Sequence, residues 1–339
     1  MKLIIEGYDK SIHKKDNQIV IKEQHKLKDN ILAEKITDIT ILGKGYITFD
    51  ALQLIANYNI KLISMDYHGN IEYILESPVD QDNITLIKKQ YHASENNDSI
   101  IISKEIIKSK LLNQKYTLKT LNKTRKIDPI NEDITKLNTY IEQLENLTPT
   151  YSITKTKTQI LGIEGKASTK YWNSIKTILP PSVNFEKRTK KPAKDLINAM
   201  LNYGYAILAS EITKNITLSG LDTYCGFLHF DLNNRKSLTY DIIEEFRQQI
   251  VDKAVLTLIN TKQVTIDDYD QTCNMLTLDA RKLIISNIMN KINSQITYKK
   301  EKTTYANIIE KQVNGIKNYL IKGTPYAGFY LRWWKRNIE

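Results

Sequence analysis

Asn59-Ile-Lys-Leu-Ile-Ser-Met65 and Ile71-Glu-Tyr-Ile-Leu-Glu76, separated by His68-Gly69-Asn70 and followed by Pro78, are the last of a series of short, β-branched apolar runs. Runs of this length bounded by turn residues read as strands. Earlier members of the series are residues 2–5, 18–22 and 31–42, with Gly43-Lys44-Gly45 read as a further turn. Between them, residues 48–58 carry Leu52, Ile55 and Ala56 at helical spacing behind Thr48, a natural N-cap. Beyond Pro78 the apolar period changes from about 2 to about 3.6. It stays there through residues 101–121, 134–147, 160–178, 196–218, 240–259, 276–296 and 305–321. Pro180-Pro181 ends one of these helices and Asp195 caps the next. The pattern predicts an α+β protein: a small N-terminal β domain, residues 1–82, followed by a larger, mainly α-helical C-terminal domain, residues 83–339.

The 339 residues include 49 Lys+Arg and 38 Asp+Glu, a net charge of +11, with 41% hydrophobic residues. Such a chain has enough apolar mass for a core, which excludes a disordered tail or a fibre. The positive excess favours a polyanionic partner, nucleic acid before an anionic membrane, although Lys is abundant throughout the sequence. Cys225 and Cys273 stand far apart with no metal-finger spacing, and both read as small core residues of a cytoplasmic protein. No run approaches the roughly 18 to 20 apolar residues of a membrane span. No phosphate-binding glycine loop is present, so no ATP requirement is expected.

Four acidic or imidazole positions stand out. Glu164 lies in Leu161-Gly-Ile-Glu-Gly-Lys-Ala-Ser-Thr-Lys-Tyr-Trp172, among small residues that let a helix or a sugar-phosphate backbone approach. The plainer reading is an exposed glutamate on an ordinary helix, with Tyr171 and Trp172 as core. His229 ends the apolar stretch Gly220-Leu-Asp-Thr-Tyr-Cys-Gly-Phe-Leu-His229, where a satisfied core histidine is the common case. A helix length later, Thr239-Tyr-Asp-Ile-Ile-Glu-Glu-Phe-Arg-Gln-Gln-Ile-Val places Asp241, Glu244 and Gln248 along one stripe, so Asp241 and Glu244 can face one ion. First-turn acids that merely complement the helix dipole are the alternative. Two carboxylates and an imidazole suit Mg²⁺ or Mn²⁺ better than zinc. Residues 185–194 form a basic loop with Lys187, Arg188, Lys190, Lys191 and Lys194, read either as a mobile phosphate-contacting loop or as solvated surface.

The order of these segments resembles the CRISPR-associated adaptation integrases, the Cas-one family. The resemblance is carried by Glu164-Gly-Lys-Ala-Ser-Thr-Lys-Tyr-Trp172, Asp195-Leu-Ile-Asn-Ala-Met-Leu-Asn-Tyr-Gly-Tyr-Ala-Ile-Leu208, Gly220-Leu-Asp to Gly226-Phe-Leu-His229, and Ser237-Leu-Thr-Tyr-Asp-Ile-Ile-Glu-Glu-Phe-Arg247. Looser support comes from residues 43–78 and from Lys110-Leu-Leu-Asn-Gln114. What it implies is a metal-dependent DNA endonuclease and integrase. Its reaction joins the 3′-hydroxyl of a captured DNA fragment to a phosphodiester of the CRISPR repeat. The N-terminal β domain is expected to dimerise, and homodimers to assemble around a dimer of a small companion, Cas-two, as a heterohexamer. By the same resemblance, the metal triad falls on Glu164, His229 and Glu244, with Asp241 as an additional or competing ligand. Arg247, one turn beyond Glu244, is placed either for phosphate or for an intrahelical ion pair. Asn198, Asn202 and Tyr205 share a helix face that could line the DNA path; for Tyr205 a core position with a satisfied hydroxyl is equally open.

Three other readings compete. A casposase-like transposon integrase shares the chemistry but commonly carries an added C-terminal helical module, for which little room is expected after Tyr330-Leu-Arg-Trp-Trp-Lys-Arg336. That tail is read either as a docking element for partner or DNA, or as packing of Trp333 and Trp334. A non-catalytic DNA-binding scaffold would use the basic surface alone. A small-molecule metal hydrolase fits the acids and leaves the +11 charge unexplained.

Overall fold

The short apolar runs near the N-terminus pair into one mixed sheet. Strands β1 (Lys2–Lys15), β2 (Gln18–Glu23), β3 (Lys26–Leu32), β4 (Asp38–Ile47), β5 (Lys61–Met65) and β6 (Ile71–Leu75) take the order β3-β2-β1-β4-β5-β6 in the computed structural model. It describes residues 1–66, 71–75, 82–149, 152–190, 192–229 and 235–332. The pairs β1–β4 and β4–β5 are parallel and the others antiparallel. Parallel neighbours need a crossover, and α1 (Phe49–Asn57) supplies it between β4 and β5. Thr48 caps this helix, its side chain accepting the Ala51 N–H at 3.3 Å. Ala51, Leu54 and Ile55 then bury against Leu3, Ile5, Ile39 and Leu62 of the sheet.

Gly43-Lys44-Gly45 lies inside β4 and is not the turn that its glycines suggest. β1 bulges opposite, between Gly7 and Lys10, and brings its backbone against β4. A Cβ on Gly43 would lie 1.9 Å from the Gly7 carbonyl oxygen, and one on Gly45 1.8 Å from that of Lys10. These glycines serve close strand approach, not chain reversal.

The chain divides into two units, residues 1–87 with 216–221, and residues 88–215 with 222–339. The α+β class read from the sequence is the one observed. α2 (Asp82–Ser94), which the periodicity does not announce, leads into the helical unit. There α3 (Asn97–Arg125) packs against α4 (Asp128–Glu145) and α5 (Ile153–Ile178). α3 buries Ile102, Ile106, Ile107, Leu111 and Leu118, yet it also buries Ser103, Lys110, Asn113, Gln114 and Thr117. A helix closed in on so many sides needs internal partners for its polar face. Further on come α6 (Leu196–Ser219), α7 (Ser237–Ile242), α8 (Lys253–Asn260), α9 (Leu278–Asn293) and α10 (Tyr305–Lys322). The short ribbons β7 (Tyr269–Asp270) with β8 (Met275–Leu276), and β9 (Gln295–Tyr298) with β10 (Glu301–Thr304), lie between them. β9 takes the end of the segment read as helix up to residue 296. Cys225 is buried, but Cys273 is exposed beside the β7–β8 connection and not in the core. No helix among the described residues is long and apolar enough to cross a membrane.

After α10 the chain turns at Gly323 and lays residues 324–332 along α3. Asn113 donates to the Phe329 carbonyl at 3.0 Å and accepts the Leu331 N–H at 3.1 Å. Phe329 is fully buried, stacked on Phe246 at 5.1 Å between ring centroids. Arg332 donates to the Tyr116 hydroxyl at 2.7 Å. Trp333 and Trp334 lie outside the described residues. The strap closes on Glu245, which accepts the Phe329 N–H at 2.7 Å and the Tyr326 hydroxyl. Burial pushes the Glu245 carboxyl up to about 8, although both hydrogen bonds favour its ionised form. Between about pH 4.5 and about 8 the unfolded chain therefore loses this proton while the folded chain keeps it, and stability falls as pH rises across that window. Glu245→Gln, which mimics the protonated carboxyl, is expected to raise the melting temperature at pH 8 by several degrees and to leave it nearly unchanged at pH 4.5. Parallel thermal melts of variant and wild type at the two pH values check this.

Candidate active site

Lys110 and Glu164 are 54 positions apart in sequence and meet as an ion pair because α3 and α5 pack side by side. The Lys110 ammonium also lies 2.7 Å from Glu244 Oε2, so two carboxylates from separate segments converge on one buried cation. Burial alone would lower the Lys110 pKa, but Glu244 and Glu164 reverse this and raise it. Burial would likewise raise Glu244, yet Arg247 and Lys110 hold it at about 2, with His229 adding to the effect. Glu164 Oε1 also accepts the Ser168 hydroxyl at 2.7 Å, and Gln114 donates to that hydroxyl oxygen at 3.1 Å. Gly162 and Gly165, beside Glu164 on α5, are exposed, and a Cβ on either would meet open space.

The helix expected over residues 239–251 is not uniform. α7 tightens into a 3₁₀ turn at Ile243–Glu245, and a π-helical segment at Gln248–Asp252 precedes α8. Irregular turns of this kind break a regular stripe, and Asp241 and Glu244 face different partners. Asp241 is fully buried and points at the loop before it. Its Oδ2 accepts the N–H groups of Phe227 at 2.6 Å and Leu228 at 3.0 Å, and its Oδ1 accepts the His229 N–H at 3.1 Å. His229 Nδ1 lies 2.6 Å from Oδ1. With Nδ1 engaged by Asp241, Nε2 is the nitrogen left for other work. Gly226 makes this wrap possible: a Cβ there would fall 2.7 Å from Ser237 Cβ and 2.9 Å from Asp241 Oδ2. Gln90 braces the same loop, donating to the carbonyls of Asp222 at 2.8 Å and Cys225 at 2.7 Å.

Arg247 pairs with Glu244, Nε to Oε2 3.1 Å, the intrahelical alternative of the two read from the sequence. Its guanidinium lies 4.4 Å from the centroid of the Tyr205 ring. Tyr205 is buried and donates its hydroxyl to Asp252 at 2.5 Å, and Tyr171 donates to the other Asp252 oxygen at 2.8 Å. Burial pushes Asp252 up to about 6, against the pull of both hydroxyls and of Arg247. Asn198 and Asn202 turn towards the basic loop and fasten it. Asn198 accepts Arg188 at 2.8 Å and the Thr189 N–H at 2.8 Å, and donates to the Lys187 carbonyl at 2.9 Å. Asn202 accepts Arg188 at 2.7 Å and donates to the Lys190 carbonyl at 2.7 Å. The loop is thus tied at four consecutive residues, 187–190, while the side chains of Lys187 and Lys190 are exposed. Lys191 lies outside the described residues.

Oxygen and imidazole donors are the chemistry of Mg²⁺ and Mn²⁺. Glu244 Oε2 is buried and, despite two cations beside it, has no hydrogen bond of good geometry. An orphaned carboxylate oxygen facing only cations suits an ion. Among the described residues no group of three or more His, Cys, Asp or Glu side chains is arranged to hold a metal as it stands. The position between Glu164 and Glu244 is taken by the Lys110 ammonium.

The profile of the family described as CRISPR associated protein Cas1 matches residues 3–315. The chain is 51% identical over 335 residues to CRISPR-associated protein Cas1 3 of Methanobrevibacter ruminantium, covering 98% of this chain and 100% of that protein. It is 33% identical to CRISPR-associated endonuclease Cas1 1 of Archaeoglobus fulgidus, covering 98% and 100%. Among solved structures, a casposase bound to integration product superposes with a TM-score of 0.79 at 27% identity, covering 98% of this chain and 99% of that one. The chain belongs to the Cas1 family, the Cas-one family of its sequence motifs.

Lys110, Gln114 and Ser168, which the sequence offers only inside family-like motifs, belong to this constellation, as does Asp252, an acid that the sequence motifs leave out. A signal for the first two exists: Lys110, Asn113, Gln114 and Thr117 occupy the register of a helix whose neighbours Ile106, Ile107 and Leu111 are core. Asp241→Ala removes the acceptor of three backbone N–H groups, two of them on the fully buried Phe227 and Leu228. At about 1–3 kcal/mol for each unmade bond, it is expected to cost at least ~3 kcal/mol in urea unfolding. The imidazole nitrogen shifts of His229 should move towards a tautomer mixture in the same variant.

Proposed function

We propose that the protein is a metal-dependent DNA endonuclease and integrase of CRISPR adaptation, acting in the cytoplasm, with Glu164, His229 and Glu244 as the ligands of Mg²⁺ or Mn²⁺. The observation that supports this most is the convergence of Glu164 and Glu244 on a single buried cation, beside an imidazole whose Nδ1 is committed to Asp241. Asp241 is here an orienting residue and not a ligand, because both its oxygens are already taken by the loop that carries His229. Membership of the Cas1 family supports the reaction class, double-stranded DNA and the CRISPR repeat as substrates, and assembly as a homodimer with a Cas-two dimer in a heterohexamer.

The reaction is a direct transesterification. The 3′-oxygen of the incoming strand forms a bond to phosphorus and gives up its proton, while the bond from phosphorus to the 3′-oxygen of the target breaks and that oxygen gains one. A bound divalent ion supplies Lewis acidity to the phosphodiester and the departing oxygen. The chain does the rest. Asp241 fixes the ring of His229, and Ser168 with Gln114 fixes Glu164. Arg247 holds Glu244 ionised, and the exposed glycines beside Glu164 leave room for a sugar-phosphate backbone. Lys187 and Lys190 are placed for phosphate contact on a loop that Arg188, Asn198 and Asn202 hold in place.

The similarity to a casposase bound to integration product favours a second reading, a transposon integrase, which differs in target choice and not in chemistry. Strand transfer of a short duplex into supercoiled plasmid tests both. Joining is expected with Mn²⁺ and not with chelator. Glu164→Ala and His229→Ala are expected to lower it by at least ~100-fold while DNA affinity and its salt dependence stay within about twofold. Equal joining by wild type and both variants would remove the assignment, and binding without joining in every condition would leave a DNA-binding scaffold. Insertion at a CRISPR repeat supports the adaptation reading; indifference to the repeat supports the transposon reading.

A further inference from the structure

Lys110 is 7% exposed and flanked on α3 by the fully buried Ile106, Ile107 and Leu111. Its ammonium touches Glu164 and lies 2.7 Å from Glu244, and Arg247 pairs with Glu244 from another side. Two negative charges thus meet two positive ones, and this part of the site is balanced as it stands. A divalent ion added beside the ammonium would leave two uncompensated positive charges in a poorly solvated place, where like charges repel strongly. Ion and ammonium therefore compete for the same pair of carboxylates.

We propose that Lys110 is a placeholder cation: its ammonium occupies the position between Glu164 and Glu244 that a divalent ion takes, keeps the two carboxylates converged in the metal-free protein, and withdraws when the ion binds. This rests on the reading of Glu164 and Glu244 as metal ligands. Three features of the site support it. Glu244 Oε2 is shared between Lys110 and Arg247, so it keeps a cation when the ammonium leaves. Ser168, held by Gln114, donates to the same Glu164 oxygen that the ammonium touches, which keeps that carboxylate in place after the ammonium leaves. The four-carbon stem of lysine lets the charge move while the backbone of α3 stays packed.

The experiment is Mn²⁺ binding to chelator-stripped protein without DNA, measured by calorimetry and by electron paramagnetic resonance, together with thermal melts in EDTA and in Mn²⁺. Lys110→Met is expected to melt below wild type in EDTA, because it leaves Glu164 without a cation and Glu244 with Arg247 alone. It is expected to bind Mn²⁺ roughly tenfold more tightly than wild type and to gain more from Mn²⁺ in melting temperature. A lysine that only holds helices together would lower the melting temperature without tightening Mn²⁺ binding, and unchanged or weaker affinity overturns the proposal. If Lys110→Met folds only when Mn²⁺ is present, the proposal is supported. If it folds in neither condition, Lys110→Gln, which keeps a donor but no charge, carries the same expectation and the same refutation. Wild-type Mn²⁺ binding that Glu164→Ala leaves unaltered, or no binding at all, removes the metal-ligand reading itself, independently of how the lysine variants behave.

Discussion

Lys110 carries a full positive charge into the middle of a helix that is closed in on most sides, and a charge there persists only if carboxylates come to it. Glu164 must therefore reach inward from α5, and Glu244 from the 3₁₀ turn after α7. Each of those commitments restricts its own neighbourhood. Arg247 is fixed by Glu244, Tyr205 lies against Arg247, and Asp252 collects the hydroxyls of Tyr205 and Tyr171. The irregular turns at Ile243–Glu245 and Gln248–Asp252 lie in this same segment, whose Asp241, Glu244, Glu245 and Asp252 meet four separate sets of partners.

The second constraint is the pairing of Asp241 with its loop. Three N–H groups and one imidazole around a single carboxylate make a rigid socket, and the absence of a side chain at Gly226 leaves room for it. The socket and the lysine cluster are neighbours in sequence, Asp241 and Glu244 being one helical turn apart, so the orientation of the imidazole and the placement of the glutamate are set by one short segment.

Much of this was legible beforehand. The change of apolar period after Pro78, the Thr48 and Asp195 caps and the stop at Pro180 all follow from local chemistry, and they divide the chain into sheet and helices. Asp195 accepts the Asn198 N–H at 2.8 Å, as a cap should. Glu164, His229, Asp241 and Glu244 each had a plainer reading on their own, and became a candidate set through the order of motifs that resembles the Cas-one family. Partners were not. That Asp241 serves the loop, that Asn198 and Asn202 serve Arg188, and that Lys110 is the common neighbour of two glutamates all depend on packing between distant segments, which periodicity does not encode. Gly43 and Gly45 misled for a related reason: a glycine needed for close approach of another strand looks the same in sequence as one needed for a turn.

The strap over α3 has a bearing on when the molecule becomes complete. Asn113 and Phe329 bond across 216 positions, and Glu245, whose side chain the strap engages, directly follows Glu244 in the chain. During synthesis, the turn carrying Glu244 has been made long before the residues that pack behind it. The packing behind the turn that carries Glu244 is therefore completed only once residues 326–331 have been made.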